Sequence, residues 1–374
     1  MMLVKGPVTD LLFLLLSIVA FIQFWVYWVT YRRLAFFKST NPTQDTRAVS
    51  VIICAKNEVV NLRKNLQAVL EQAHPSFEVI VVNDCSWDES EEFLDEMAKK
   101  YAHLKIVNIK EQEKYRHGKK FALTLGVKAA SNDILLMTDA DCIPASKNWL
   151  TRMQSQFSGE TEIVLGYGSY QKKPGFLNKL IRFDTFLIAM QYMGFALGGN
   201  AYMGVGRNLA YSKKLFFRNK GFAKHNHIFS GDDDLFVNEN ANRDNTKIEV
   251  DESAFTLSEP KTTFGSWFKQ KRRHMSTGRH YKGVHQFQLF LISVSGLFFY
   301  LLLIALFSLR FEWRILVSLY LLLLLLKLPV LWKSAVRFHE KDLIFLFPIL
   351  EPLHSFLQPV IYISNMFTKQ KAWK

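Results

Sequence analysis

Several acidic residues are spaced in ways that suit chemistry on a charged substrate. Asp139 and Asp141 form an Asp-Ala-Asp triplet, Asp84 closes an apolar run, and Asp232, Asp233 and Asp234 stand in a row after Ser230-Gly231. Paired carboxylates offer hard oxygen donors that can hold Mg2+ or Mn2+ against a substrate diphosphate. Three adjacent acids repel one another unless a cation, a proton or a helix N-terminus relieves them. Two roles stay open for that row: a helix N-cap, or a carboxylate poised as general base. Gly118-Lys119-Lys120 opens a helical pattern and can offer amides and a cation to phosphate. It lacks the upstream glycine and the following Ser/Thr of a P-loop, so a nucleoside triphosphatase loses its main support. Lys269-Gln270-Lys271-Arg272-Arg273-His274 gathers positive charge beside Trp267 and Phe268, and alone would read as an interfacial helix facing anionic lipid. Cys54, Cys85 and Cys142 form no Cys-x-x-Cys pair, so packing is the expected role rather than disulfides or zinc.

A scaffold for these side chains is visible in the apolar pattern. Residues 48–55 make a continuous apolar run of buried-strand length, and Leu62, Leu66, Val69 and Leu70 then share one helical face. Strand signals return at 77–82, 105–109 and 134–138, with helical segments between them. The helix after the second strand opens with Asp88, Glu89, Glu91 and Glu92 and closes on Lys99 and Lys100, matching the helix dipole at both ends. Such alternation predicts a mostly parallel, Rossmann-like α/β sheet covered by helices on both faces. Ligands bind such sheets outside the carboxyl ends of the strands. Asp84 and the Asp139/Asp141 pair both arrive at that rim.

Long apolar segments flank this region. Residues 11–30 are uncharged, end in Trp25, Tyr27, Trp28 and Tyr31, and are followed by Arg32, Arg33 and Lys38. That order predicts a membrane anchor with its C-terminal end in the cytoplasm. Residues 287–309 and 315–332 give two further spans, the latter broken by Lys327 and Pro329. Residues 343–367 are long enough for a fourth but carry Glu351, His354 and three prolines. Four full crossings would leave Lys369, Lys371 and Lys374 outside, against the positive-inside tendency; a re-entrant or interfacial last segment removes the conflict. The apolar stretch 176–197, interrupted by Lys179, Arg182 and Asp184, suits either an interfacial or a buried core helix. In a 374-residue chain of net charge +14, much of the basic excess flanks apolar spans, which disfavours nucleic acid as a partner.

In this order the motifs resemble the membrane-associated family 2 glycosyltransferases, the group of hyaluronan, chitin and cellulose synthases and ceramide glucosyltransferase. The likeness covers roughly residues 49–281. It implies a GT-A type nucleotide-sugar domain over 45–260, between an anchor at 1–38, a basic interfacial helix at 261–285 and a membrane region at 286–374. The segment from Val51 to Glu58 resembles the opening strand whose turn, with Ala55 and Glu58, contacts the nucleotide. Asp84 matches the aspartate that reads the base, and Lys119 the nearby basic residue. Asp139 and Asp141 match the Mg2+ or Mn2+ pair. Gly206 and Asn208 lie in a segment similar to the Gly-x-Asn loop at the donor sugar. Asp233 matches the catalytic base, with Asp232 and His274 expected near the acceptor. Gln270 and Arg273 match the Gln-x-x-Arg-Trp motif, in which His274 here replaces tryptophan. The resemblance implies inverting transfer from a nucleotide-diphosphate sugar to a lipid or glycan at the cytoplasmic face of the plasma membrane. The missing tryptophan predicts one or few sugars rather than a polymer.

Overall fold

Seven consecutive buried residues, Val49–Ala55, form the strand around which the domain is built. The computed structural model describes residues 6–39, 46–110, 118–228 and 230–367; Lys369, Lys371 and Lys374 lie outside them. After α1 (Pro7–Trp25), a π-helical stretch Val26–Tyr31 and α2 (Arg32–Ala35), the chain runs through β1 (Val49–Ala55), α3 (Val59–Leu70) and β2 (Phe77–Asp84). It continues through α4 (Ser90–Lys100), β3 (Leu104–Ile109), α5 (Lys119–Ala129) and β4 (Ile134–Asp139). Shorter elements follow: β5 (Cys142–Pro144), α6 (Trp149–Ser155), β6 (Ile163–Leu165), β7 (Gly168–Tyr170), α7 (Phe176–Leu197), β8 (Leu209–Ser212) and α8 (Lys213–Arg218). Then come α9 (Asp234–Asn240), β9 (Thr246–Ile248), β10 (Thr256–Ser258) and α10 (Phe264–Met275). Three long helices close the chain: α11 (Gly283–Ser308), α12 (Trp313–Arg337) and α13 (Phe347–Met366).

The main sheet has the order β3-β2-β1-β4-β8-β6-β9, and β5-β10-β7 make a small second sheet. β1 to β4 are parallel; β8 runs antiparallel to both neighbours. This is the mostly parallel sheet expected. Alternate residues of β1 face opposite ways, as strand geometry requires. Val51 and Ile53 enter one core with α3 and α6, while Ile52 and Cys54 enter the other with α5 and α7. The chain leaves β1 toward β2 and β3, then returns to β4 on β1's other side. The crevice between β1 and β4 is therefore the topological switch point of the sheet.

Among the described residues, five helical segments are long and apolar enough to cross a membrane. Over its most apolar window α7 is 72% buried, against 22–28% for the other four. Of the two readings of residues 176–197, the core helix is the observed one. At Gly194 an added Cβ would stand 2.8 Å from the Thr30 carbonyl oxygen, so glycine allows α7 to meet the π-helical stretch. The charges that interrupt the apolar runs answer one another. Lys327 Nζ lies 2.6 Å from Glu351 Oε1, Tyr300 donates to Glu351 Oε2 at 2.8 Å, and Lys327 reaches Gln23 Oε1 at 3.2 Å.

The basic segment departs from its expected orientation. Trp267 and Lys271 on α10 are buried rather than turned to lipid. Lys271 Nζ pairs with Asp184 Oδ2 of α7 at 2.7 Å, where His354 and Gln358 of α13 also converge at 3.2 Å. A buried carboxylate in α7 demands a cation, and that demand turns one face of α10 inward.

Candidate active site

β4 ends at Asp139, which pairs in register with Cys54 of β1 and so stands at the switch point. Asn65 of α3 donates to the Ala140 carbonyl at 3.0 Å and fixes the turn that carries Asp139 and Asp141. Donor atoms of Asp139, Asp141 and Cys142 lie within 4.8 Å of one another. Burial and the neighbouring Asp141 hold the Cys142 thiol well above its ordinary pKa, and its sulfur lies 3.0 Å from Ser258 Oγ. Hard divalent ions such as Mg2+ and Mn2+ favour oxygen over sulfur, so the two carboxylates are the donors that suit them. Burial and Asp139 raise the Asp141 pKa, the direction expected of paired acids whose charge a cation would neutralise. Oxygen-only donors of this kind fit Mg2+ or Mn2+.

Lys119, the first residue of α5, joins two of the acidic groups. Its Nζ stands 2.9 Å from Asp139 Oδ1 and 2.9 Å from Asp232 Oδ2. Burial alone would lower its pKa; the surrounding carboxylates outweigh that and keep the ammonium charged. Asp232 is lowered in return, Lys119 prevailing over burial. The lysine thus bridges the carboxylates of two separate loops.

Asp233 is the N-cap of α9. Its Oδ1 accepts from the Asp234 amide at 2.8 Å and its Oδ2 from the Gly206 amide at 2.7 Å. A Cβ at Gly206 would come within 3.2 Å of that same oxygen, so the glycine lets the backbone approach. Burial, with Asp232 and Asp234 adding repulsion, pushes the Asp233 carboxyl up to about 7. Of the acidic row, Asp233 caps the helix while lining the cavity, whereas Asp234 turns inward, accepting from Thr277 and, at 2.7 Å, from the Tyr281 hydroxyl. That contact ties the end of the basic segment to the acidic loop.

A cavity of about 1020 Å³ connects these groups. Glu58, Lys119, Asp139, Asp141, Gly206, Asp232, Asp233, Gln270, Arg273 and His274 all line it. Three expected residues do not. Ala55 and Asp84 end their strands at the same rim but are fully buried. Asn208 is buried too, and its amide accepts from Trp149 at 3.0 Å and donates to the Tyr167 and Ala254 carbonyls at 2.9 and 2.8 Å. With its side-chain amide engaged in the interior, Asn208 shapes the loop and does not face the cavity. The His274 ring is exposed toward the cavity; crowding by the surrounding protein, then Arg273 and Lys271, hold its pKa below the ordinary value, which favours a neutral imidazole.

Arg207 was not singled out by sequence, although it lies between Gly206 and Asn208. It lines the cavity with its guanidinium 4.5 Å from the Tyr170 ring centre and donates to the Gly168 carbonyl at 2.6 Å. Gln270 donates to the Tyr170 hydroxyl at 3.4 Å, so the aromatic ring links Arg207 to α10. The available signal was an arginine inside a glycine-bounded loop at the rim.

Residues 50–218 match the Glycosyl transferase family 2 model. Glycosyltransferase AglE of Haloferax volcanii is 34% identical over 140 residues, 37% of this chain and 44% of that protein. The beta-monoglucosyldiacylglycerol synthase of Nostoc sp. is 35% identical over 101 residues, 26% of this chain and 21% of that one. The chain's match thus spans less than half the length of either relative. A mannosyltransferase from Pyrobaculum calidifontis, solved in complex with GDP-Man and Mn2+, superposes with a TM-score of 0.59 at 17% identity. The superposition covers 88% of this chain and 98% of the other, a likeness of fold. Residues 50–218 are thus similar to a glycosyl transferase family 2 domain, and the fold is of GT-A type.

Proposed function

We propose that this protein transfers a sugar, with inversion, from a nucleotide-diphosphate sugar to a lipid or glycan acceptor at the cytoplasmic face of the plasma membrane. One observation carries the reading: an Asp139/Asp141 pair and a backbone-held Asp233 share a cavity at the switch point, with Lys119 between them. The GDP-Man and Mn2+ complex of the mannosyltransferase lends support on the donor and the ion, as does the diacylglycerol synthase on a membrane acceptor.

In this reading Asp139 and Asp141 hold a divalent ion, which would supply Lewis-acid stabilisation of the departing diphosphate. Asp233 takes the proton from the acceptor hydroxyl as that oxygen attacks the anomeric carbon. Its two amide bonds fix the carboxylate, so little reorganisation is needed when the proton arrives. Arg273, with Lys119 and Arg207, offsets negative charge on the leaving group. Glu58 and Gly206 line the donor's side, Gln270 steadies Tyr170 above Arg207, and Asp232 keeps Lys119 charged. His274, neutral and without the reach of an indole, holds the acceptor loosely and favours products with one or few added sugars.

The test is direct. Detergent-purified protein is incubated with a panel of nucleotide sugars and Mn2+, and released nucleoside diphosphate is measured. Release from one donor class, abolished by EDTA, is the expected result. No release from any donor, with no binding of any nucleotide, would overturn the proposal.

A further inference from the structure

The cavity does not stop at the acidic residues. From Asp233 it runs past Tyr31 and Met203 to Leu289, Phe290 and Leu297 of α11 and Ile363 of α13. Both α11 and α13 belong to segments apolar enough to cross a membrane. Phe287 and Phe290 of α11, and Tyr362 and Ile363 of α13, line the cavity and are each more than half exposed. Wall residues this open mark a mouth, and it lies between two apolar helices. Farther along, a Cβ at Gly296 would stand 3.3 Å from Ser355 Oγ, so the two helices meet there and close the slot. At about 1020 Å³ the space reaches the upper end of the roughly 300–1000 Å³ typical of small-ligand sites. A polar donor at the acidic end leaves the apolar end without an occupant.

We infer that the slot between α11 and α13 holds the hydrocarbon chain of a lipid acceptor whose attacking group is a neutral hydroxyl lying against Asp233. This deepens the proposed function and rests on it. Two observations choose the hydroxyl over a lipid phosphate. An anionic nucleophile laid against Asp233 would be repelled by that carboxylate, since the neighbouring Lys119 is already engaged by Asp139 and Asp232. A phosphate monoester is also already ionised near neutral pH and needs no base, whereas Asp233 is held by two amides in a base's geometry. A free saccharide fits poorly, because burying its hydroxyls along apolar walls leaves them without partners. The hydroxyl can belong to the lipid backbone or to a sugar already attached to it. In the reaction that oxygen bonds to the anomeric carbon, the carbon–diphosphate bond breaks, and the proton passes to Asp233.

Full-length protein in phosphatidylcholine nanodiscs, loaded with a diacylglycerol bearing a diazirine on one acyl chain, provides the test. Photolabelling is expected on residues 289–297 and 355–363. At least a tenfold loss of labelling is expected on adding dioleoylglycerol or glucosyl-dioleoylglycerol, and the stronger competitor identifies the source of the hydroxyl. Ser293→Trp, which fills the slot from α11, should cut labelling and sugar transfer to that lipid at least tenfold while nucleotide-sugar binding holds. Labelling spread over outer helix surfaces, or competed as well by a polyprenyl phosphate or a free oligosaccharide, would overturn the inference. Nucleotide-sugar binding on the same nanodiscs separates the two readings. If donor binds and the slot is not labelled, the inference fails and the transferase reading survives. If no donor binds, both fall together.

Discussion

Asp233 gathers the residue-scale argument because its environment opposes its own charge. Burial and two flanking aspartates raise its pKa to about 7, while the amides of Gly206 and Asp234 keep the ionised form in one orientation. As a base it must be ionised, so kcat/KM should fall about tenfold per pH unit below 7 and level off above it. Stability runs the other way. The folded pKa lies above the ordinary value near 3.9, so this group's contribution is full below about pH 4 and is lost as pH rises through 7. Asp233→Asn should bind donor, turn over negligibly and show no such titration in stability; a normal rate in that variant would remove Asp233 from the mechanism. Asp141→Asn keeps the shape and loses the charge that holds a cation, at a cost on the order of 3 kcal/mol, or about a hundredfold in rate. Isothermal titration with Mn2+ beside the rate assay checks it, and unchanged metal affinity would refute the assignment.

Asp84 and the Asp139/Asp141 pair were legible in sequence because each follows an apolar strand, and strand ends converge on one rim; Asp233 was legible as one of three adjacent acids before a helical pattern. Asn208 was misjudged for a physical reason. Its spacing matches a loop at the donor sugar, but whether an amide points outward or inward depends on unmet donors in Trp149 and on carbonyls from distant segments. No local pattern records that. The short strands from β5 to β10 were equally hidden, since three or four residues are too few to display a period.

At the scale of one element, α10 looks like a uniform run of charge but has distinct faces. Successive residues turn by about 100°, so Lys271 meets Asp184 in the interior, Arg272 lies against Asn365 at 3.5 Å, and Arg273 reaches the cavity. A reading by composition treats the three alike; the helix does not. Lys271→Ala leaves a buried carboxylate without its cation and should destabilise the fold by about 3 kcal/mol. Replacing both partners, as in Lys271→Met with Asp184→Leu, should recover most of that loss. Arg273→Ala should leave the thermal midpoint nearly unchanged and lower turnover about a hundredfold if it faces the diphosphate. Arg272→Ala should do little to either. Thermal unfolding in detergent beside initial rates distinguishes the three, and equal small losses in all of them would return α10 to the role of a lipid-facing patch.

At the scale of the whole molecule, the contacts of the apolar helices constrain how the chain meets the bilayer. α11 follows directly from the basic segment at the catalytic domain. α12 returns to that domain, since Glu340 and Asp342 just beyond it pair with Arg182 of α7. The two helices thus form a hairpin with both outer ends on one side. α13 also begins there, and its far end is held as well: the Asn365 amide donates to the Arg272 carbonyl of α10 at 2.8 Å. A helix held at both ends in this way is expected to lie along the boundary rather than to cross it. Of the alternatives for residues 343–367, the re-entrant or interfacial segment is then the expected one. The prediction is topological. In a background lacking Cys85, with Cys54 and Cys142 buried, Trp87→Cys and Phe367→Cys place a thiol at sites 85% and 84% exposed. An impermeant maleimide should label both in inverted membrane vesicles and neither in intact cells. Labelling of Phe367→Cys from outside, with Trp87→Cys protected, would mean that α13 crosses; labelling of both from outside would reverse the orientation assigned by Arg32 and Arg33.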